Sequence, residues 1–184
     1  TLAPLALGVE TGAYAGRFDP RRLAKALRDY RTTNLAAAAT HFRMMMNAEG
    51  LDLSGLEIGK ISFTGEPMDS ETAAFVERTF ATPACSMYGT TEVGVILVSY
   101  PGAPDFKVKR GSLGKPPPNV VVEVHRPNGT VAAAEEIGEL VVERRGEWFP
   151  TKDLGYVDAE GYFFHAGRAD AVSYTHLTLP TISS

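Results

Sequence analysis

Residues 61–80 read Ile61-Ser62-Phe63-Thr64-Gly65-Glu66-Pro67-Met68-Asp69-Ser70-Glu71-Thr72-Ala73-Ala74-Phe75-Val76-Glu77-Arg78-Thr79-Phe80. Ile61 to Phe63 is a short β-prone run that stops at Gly65-Glu66-Pro67. From Asp69 to Phe80 the pattern changes to an Asp cap, an acidic first turn, and Ala73, Phe75, Val76 and Phe80 as the apolar helical positions. A strand that passes into a helix in this way is half of a βα unit. The preceding chain repeats it: Thr32 to Ala38 reads as a buried strand, and Thr40 to Glu49 as a helix with an apolar stripe of Phe42, Met45 and Met46, ended by Gly50. Further upstream, Asp19 to Tyr30 has a capping Asp, Pro20 at the first helical position, and Leu23, Ala26, Leu27 and Tyr30 at helical spacing. Alternating strands and helices predict an α/β fold, a parallel sheet with covering helices.

After Pro101 the texture changes. Gly111, Gly114 and Pro116-Pro117-Pro118 break the chain, Val120–His125 and Glu139–Glu143 are short β-rich runs, and Asn128-Gly129 between them signals a turn. The expected organisation is a partial α/β subdomain over 1–108 and a small β-rich, barrel-like subdomain over 109–168, the antiparallel unit itself spanning about 112–165. The last stretch, 173–184, reads SYTHLTLPTISS and carries no charged side chain with His neutral; it resembles translated sequencing-adapter sequence, the alternative being a genuine tail.

Composition narrows the function. With 18 Lys and Arg against 22 Asp and Glu, the formal charge is −4, which argues against a nucleic-acid binder that works by neutralising phosphates. No apolar run is long enough to span a bilayer. Cys85 is the single cysteine, so no intramolecular disulfide forms, a Cys-based zinc site is unsupported, and a reducing cytoplasm is the expected setting. His41, His125, His165 and His176 are scattered, and no feature bears on oligomeric state.

Four segments carry polar groups where a turn would expose them. Gly65-Glu66-Pro67 follows a strand, where open parallel sheets bind ligands and where a Gly lets a flat ring approach the backbone; the plain alternative is a turn into a helix. Ser86-Met87-Tyr88-Gly89-Thr90-Thr91-Glu92 combines hydroxyls, N–H groups and a carboxylate suited to a phosphate and its Mg²⁺, unless Thr90 or Thr91 simply caps a helix. In Thr151-Lys152-Asp153, the carboxylate suits vicinal ribose hydroxyls, or else is a solvated turn residue. In Gly167-Arg168-Ala169-Asp170, Arg168 offers a planar charged fork and Asp170 a short connection able to absorb backbone rotation, against a surface ion pair as the bland reading.

The order of these segments, together with Gly111-Ser112-Leu113-Gly114-Lys115-Pro116, Gly138-Glu139-Leu140-Val141-Val142 and Gly161–Asp170, resembles the adenylate-forming superfamily of acyl-CoA synthetases, nonribosomal adenylation domains and luciferases. The resemblance spans about Phe18 to Val172 and is nearest to acyl-CoA ligases of the medium-chain or aryl acid type. It implies part of an adenylate-forming N-terminal domain that uses ATP, Mg²⁺ and CoA to activate a small carboxylic acid. Gly65, Glu66 and Pro67 would border adenine, with Ser86, Met87, Tyr88, Gly89, Thr90 and Thr91 along adenine and α-phosphate. Thr91 and Glu92 would be the catalytic pair, Thr91 donating to the phosphate and Glu92 ligating Mg²⁺. Asp153 would hold the ribose, Arg168 reinforce it, and Asp170 act as hinge within 169–172. Thr40, His41 and Tyr88 would line the acyl pocket; His41 is not read as a catalytic base.

Two positions depart from the pattern, Lys152 for a Gly and Ala39 for a Pro. The phosphate loop and the C-terminal catalytic Lys that the resemblance calls for are absent, so the chain is expected to be an inactive middle piece. The competing readings are a non-catalytic nucleotide-binding or interaction module on the same fold, and turn motifs on a generic α/β domain. Lys107, Lys109, Arg110 and Lys115 form a basic cluster that suits either CoA phosphates or a solvated loop.

Overall fold

Residues 6–100, 103 and 106–169 are described by the structure, a computed structural model; the expected hinge residue Asp170 and the 173–184 tail lie outside the described residues. Helix α1 (Pro20–Asp29) starts where Asp19 accepts the N–H groups of Arg21 and Arg22 at 2.8 and 3.1 Å, satisfying two donors that a helix leaves open. Its buried face is Leu23, Ala24 and Leu27. Tyr30, expected on that face, is 82% exposed because the helix has already ended at Asp29.

Strand β1 (Asn34–Ala38) leads into α2 (Ala39–Met46), β2 (Lys60–Thr64) into α3 (Ser70–Phe80), and β3 (Ala84–Thr90) follows. Helix α2 stops before Glu49, the chain turning out at Asn47. The three strands are parallel, with Leu35 opposite Ile61 and Ile61 opposite Ala84. Phe42, Met45, Val76 and Phe80 of the helices pack with Leu23, Leu27, Leu35, Ile58 and Ile61 in a first core. Burying each such side chain stabilises the fold by about 1.5–3 kcal/mol.

No helix follows β3. Thr91, Glu92 and Val93 instead form a loop into β4 (Gly94–Val98), which runs antiparallel to β3 and completes a four-stranded sheet in the order β1-β2-β3-β4. The capped-helix alternative for Thr90 and Thr91 is thereby removed.

The second sheet comprises β5 (Ser112–Gly114), β6 (Val122–His125), β7 (Gly138–Arg144), β8 (Glu147–Val157) and β9 (Phe163–Arg168), antiparallel in the order β5-β9-β8-β7-β6. Among the described residues β5 and β6 do not pair, so this sheet is open. The Asn128-Gly129 turn folds its own segment back, with Gly129 donating to Arg126 and Arg126 to Thr130 at 2.8 Å each, and a bridge from His125 to Val131 precedes the return into β7. Ile96 and Leu97 of β4 are fully buried in the second core with Leu113, Val124, Leu140, Val142 and Phe163. One strand thus belongs by hydrogen bonding to the first sheet and by packing to the second.

Candidate functional site

Parallel strands end together, so the segments following β2 and β3 emerge at one edge, the edge where open α/β sheets bind ligands. A cavity of about 590 Å³ opens there, within the size range of small-molecule sites. Gly65, Glu66 and Pro67 line one side of it, and Ser86, Met87, Tyr88, Gly89, Thr90, Thr91 and Glu92 another. Asp153 and Arg168 line it from the second sheet. Thr40 and His41, expected in an acyl pocket with Tyr88, do not line this cavity. The Thr40 N–H donates to Glu66 Oε1 at 2.5 Å, and the His41 ring packs 4.3 Å from that of Phe18.

Asp153 is the most constrained of these groups. Register sets it directly across from Arg168, whose Nη1 donates to its Oδ1 at 3.1 Å. Its other oxygen, Oδ2, accepts the Tyr88 hydroxyl at 2.7 Å across 65 residues of sequence, and the residue is only 6% exposed. Burial pushes the Tyr88 phenol well above its usual range and the neighbouring carboxylate adds to that, so Tyr88 remains a neutral donor. The preceding Lys152 has φ +63°, a left-handed conformation that a Gly adopts without a Cβ penalty; this accounts for a Gly being the expected residue there.

Glu92 sits at the tip of the β3–β4 loop and is exposed. A hydrogen bond from Thr90 holds its carboxyl below the usual range, and the charges of Lys152 and Arg168 act the same way, so it is an anion at neutral pH. Hydrogen bonds from Thr40 likewise hold the Glu66 carboxyl low. The Glu66 carboxylate takes over the capping of α2, where the Ala38 side chain offers no acceptor. Arg144 of β7 reaches across to donate to the Val93 carbonyl at 3.0 Å, tying the Glu92 loop to the second sheet.

The amino-acid sequence matches the family of AMP-binding enzymes over residues 1–147. The chain belongs to that family. The match covers the Gly65–Pro67 and Tyr88–Glu92 walls of the cavity, while Asp153 and Arg168 lie beyond it. Among curated relatives, the chain is 30% identical to an uncharacterized acyl-CoA ligase, YtcI, of Bacillus subtilis, over 93% of this chain and 36% of that protein. It is 26% identical to the mitochondrial acyl-coenzyme A synthetase ACSM3 of Rattus norvegicus, over 86% of this chain and 31% of that protein. The chain therefore spans about a third of the length of these relatives. In fold it is similar to an anthranilate CoA ligase solved with anthranoyl-AMP (TM-score 0.79, 21% identity, 91% of this chain and 36% of that one). It is also similar to a benzoate CoA ligase of Burkholderia xenovorans (TM-score 0.78, 22% identity, 91% and 37%).

Three cations of the basic cluster in this AMP-binding chain are engaged locally. Lys109 pairs with Asp158 at 2.5 Å and Glu160 at 3.7 Å, Arg110 pairs with Glu77, and the Lys115 ammonium lies 4.4 Å from the Tyr162 ring centre. Lys109, Arg110 and Lys115 of the basic cluster are thus tied to neighbouring carboxylates or a ring, and Lys109 and Arg110 also line the cavity. His165 was not singled out from sequence, and Thr151 was read only as part of the Thr151–Asp153 segment. His165 lines the cavity with Nε2 3.5 Å from Asp153 Oδ1, and Thr151 is buried next to Asp153 on the same strand. Among the described residues no group of three or more His, Cys, Asp or Glu is arranged to hold a metal, and no helix is long and apolar enough to cross a membrane.

Proposed function

We propose that the protein carrying this chain is an ATP-dependent acid:CoA ligase, which activates a carboxylic acid as its acyl-adenylate and passes it to CoA, and that this chain holds the nucleotide-facing part of the site. The reading rests on one observation: the Asp153 carboxylate, cross-strand from Arg168, opens on the same cavity as Gly65–Pro67 and Thr90–Glu92. A buried, doubly anchored carboxylate is suited to accept hydrogen bonds from both hydroxyls of a ribose. On binding, one of those hydroxyls replaces the Tyr88 phenol at Oδ2, while Arg168 keeps the carboxylate aimed through its bond to Oδ1.

Adenine then lies between Gly65-Glu66-Pro67 and the Ser86–Tyr88 strand, and Thr91 donates to the α-phosphate. Glu92 is the group suited to Mg²⁺: an exposed anion that belongs to no all-protein cage among the described residues matches an ion held by one or two carboxylates plus the phosphates of its nucleotide. When bound, the ion offsets the charge that builds up on the phosphates. The chain's own share is orientation, with donors and a carboxylate fixed on strand ends before the nucleotide arrives. Tyr88 is the acyl-pocket candidate that also faces the cavity. The acid in this reading is of the aryl or medium-chain type, and the names of two fold neighbours, benzoate and anthranilate CoA ligases, agree with the aryl choice.

In this reading residues 1–108 and 109–168 are two subdomains of one AMP-binding domain, Asp170 is the hinge to a further domain, and the enzyme is cytoplasmic. The 184 residues alone do not complete adenylation, since they carry no phosphate-loop motif and no Lys after Lys152; acid-dependent ATP–pyrophosphate exchange by the purified chain would overturn that. The direct test of the site is calorimetric titration of the 184-residue chain with AMP. We expect binding, weakened roughly tenfold to a hundredfold in Asp153→Ala by loss of charge-assisted hydrogen bonds to the ribose. No AMP binding by the unaltered chain, or unchanged affinity in the variant, refutes the reading.

A further inference from the structure

Strand β8 does not run regularly past the nucleotide site. Against β7, Leu154 is opposite Glu139 and Pro150 is opposite Val141, so Thr151, Lys152 and Asp153 together face the single residue Leu140. A bulge of this size strips the local backbone of its ladder partners, and those groups must be satisfied in another way. Side chains do this for three of them. The Thr151 hydroxyl donates to the Leu140 carbonyl at 2.8 Å and accepts the Asp153 N–H at 3.2 Å. Glu139 Oε1 accepts the Lys152 N–H at 3.1 Å, at the residue with φ +63°.

We propose that Glu139 and Thr151 are positioning residues for Asp153. They fix the bulge whose geometry turns the Asp153 carboxylate into the cavity, and Glu139 acts entirely through the Lys152 backbone. Thr151 is buried and has no cavity-lining role, and Glu139 does not line the cavity either. With the Lys152 N–H released, β8 is free to regularise by rotating Lys152 out of the left-handed region, and that rotation moves the Asp153 side chain away from Arg168 and Tyr88. The inference rests on Asp153 holding the ribose, as proposed above.

The test compares AMP with 2′,3′-dideoxy-AMP as probes of the full 184-residue chain, by calorimetry. The unaltered chain prefers AMP; Glu139→Ala reduces that preference roughly fivefold to tenfold, with affinity for the dideoxy compound unchanged. Glu139→Gln, whose amide oxygen still accepts the N–H, restores it. Thr151→Val lowers the preference and Thr151→Ser keeps it. A Glu139→Ala chain with undiminished preference overturns the positioning role. An unaltered chain that binds both compounds alike overturns the ribose assignment itself, and the inference with it. Should Glu139→Ala fail to fold, amide hydrogen exchange in the unaltered chain decides: exchange at Lys152 slowed at least tenfold relative to an unstructured peptide is expected, and an unprotected amide refutes the role assigned to Glu139.

Discussion

Gly89 and Gly94 flank the loop that carries Thr91 and Glu92, and they are glycines for different reasons. A Cβ on Gly89 would stand 1.9 Å from the Gly94 carbonyl oxygen, 2.6 Å from its carbon and 2.7 Å from Val95 Cα, all backbone atoms. A Cβ on Gly94 meets nothing within 4 Å, but its φ is +73°. Gly89→Ala therefore has to part β3 from β4 by more than ~1 Å, at least about a fifth of the roughly 4.8 Å between hydrogen-bonded strands and enough to break the ladder bonds there. Relief by moving β4 is opposed by Ile96 and Leu97, which are fully buried in the second core. Overpacking of this kind costs about 1–3 kcal/mol, and we place Gly89→Ala at the top of that range, about 3 kcal/mol. Gly94→Ala incurs only the left-handed penalty, about 1 kcal/mol. Urea unfolding followed by the fluorescence of the single tryptophan, Trp148, reads both. In thermal terms, for a chain of this size, we expect losses of about 6–12 °C and about 2–4 °C respectively. Equal losses, or a milder effect at Gly89, would show that the hairpin tolerates separation and that the close approach is not what demands glycine.

Three other outcomes follow from the same geometry. Lys152→Gly removes a left-handed Cβ penalty of about 1–2 kcal/mol and adds about 0.5–1 kcal/mol of backbone entropy, so the melting temperature should rise by a few degrees with AMP affinity unchanged; a fall contradicts the strain. Asp69 caps α3 by accepting the Thr72 N–H at 2.8 Å, and hydrogen bonds from Thr72 and then Arg43 bring its pKa from 3.8 to about 2. Its folded pKa lies below the unfolded one, so its contribution is complete above about pH 4 and is lost as pH falls towards 2. Because the side chain is 45% exposed, that contribution is discounted to about 1 kcal/mol. Asp69→Asn, which still caps, should flatten the acid limb of urea-unfolding stability between pH 4 and 2.5, and parallel limbs would refute this. Tyr88→Phe should cost about 1–3 kcal/mol of stability in the empty chain by removing the donor to Asp153, without weakening AMP; a tenfold weakening would mean that the phenol contacts the nucleotide itself.

What could be read from the sequence was what is encoded locally. Asp19 with Pro20, and Asp69 with its acidic first turn, each state a helix start within three or four residues, and both helices begin there. The strands ending at Ala38 and Thr64 were legible because a helix follows each. Strand β4 was not, although Val95-Ile96-Leu97-Val98 is an apolar run, because Thr90-Thr91 fits a helix cap equally well and only the approach of Gly89 to Gly94 selects a hairpin. The Asp153–Arg168 pairing was nearly legible. Counting outward from the Asp158–Tyr162 turn sets Asp153 opposite Gly167, and the extra residue Ala166 shifts the register to Arg168. That one-residue bulge decides which side chain meets the carboxylate, and no local rule announces it. Tyr88 and Asp153 meet across 65 residues through the contact of two sheets, which is tertiary information alone.

The position of the cavity follows from the way the chain changes cores. Strand β3 lies parallel to β2 and emerges over the first core, while β4, hydrogen-bonded to it, buries Ile96 and Leu97 in the second. The loop between them must therefore sit over the seam, and Thr91 and Glu92 sit there with it. Val98 and Lys115 exchange backbone hydrogen bonds at 3.0 Å each way across that seam, Arg144 holds the Val93 carbonyl, and Tyr88 holds Asp153. Each tie joins the first sheet, or the loop that leaves it, to the second sheet or the segment leading from it. The walls of the cavity thus come from two cores, held together by the burial of Ile96 and Leu97 and by these few polar contacts. The Tyr88–Asp153 bond is the one among them that lies inside the cavity. In the proposed reading it is also the one that a ribose replaces, so nucleotide takes over part of the work of holding the two sheets in register.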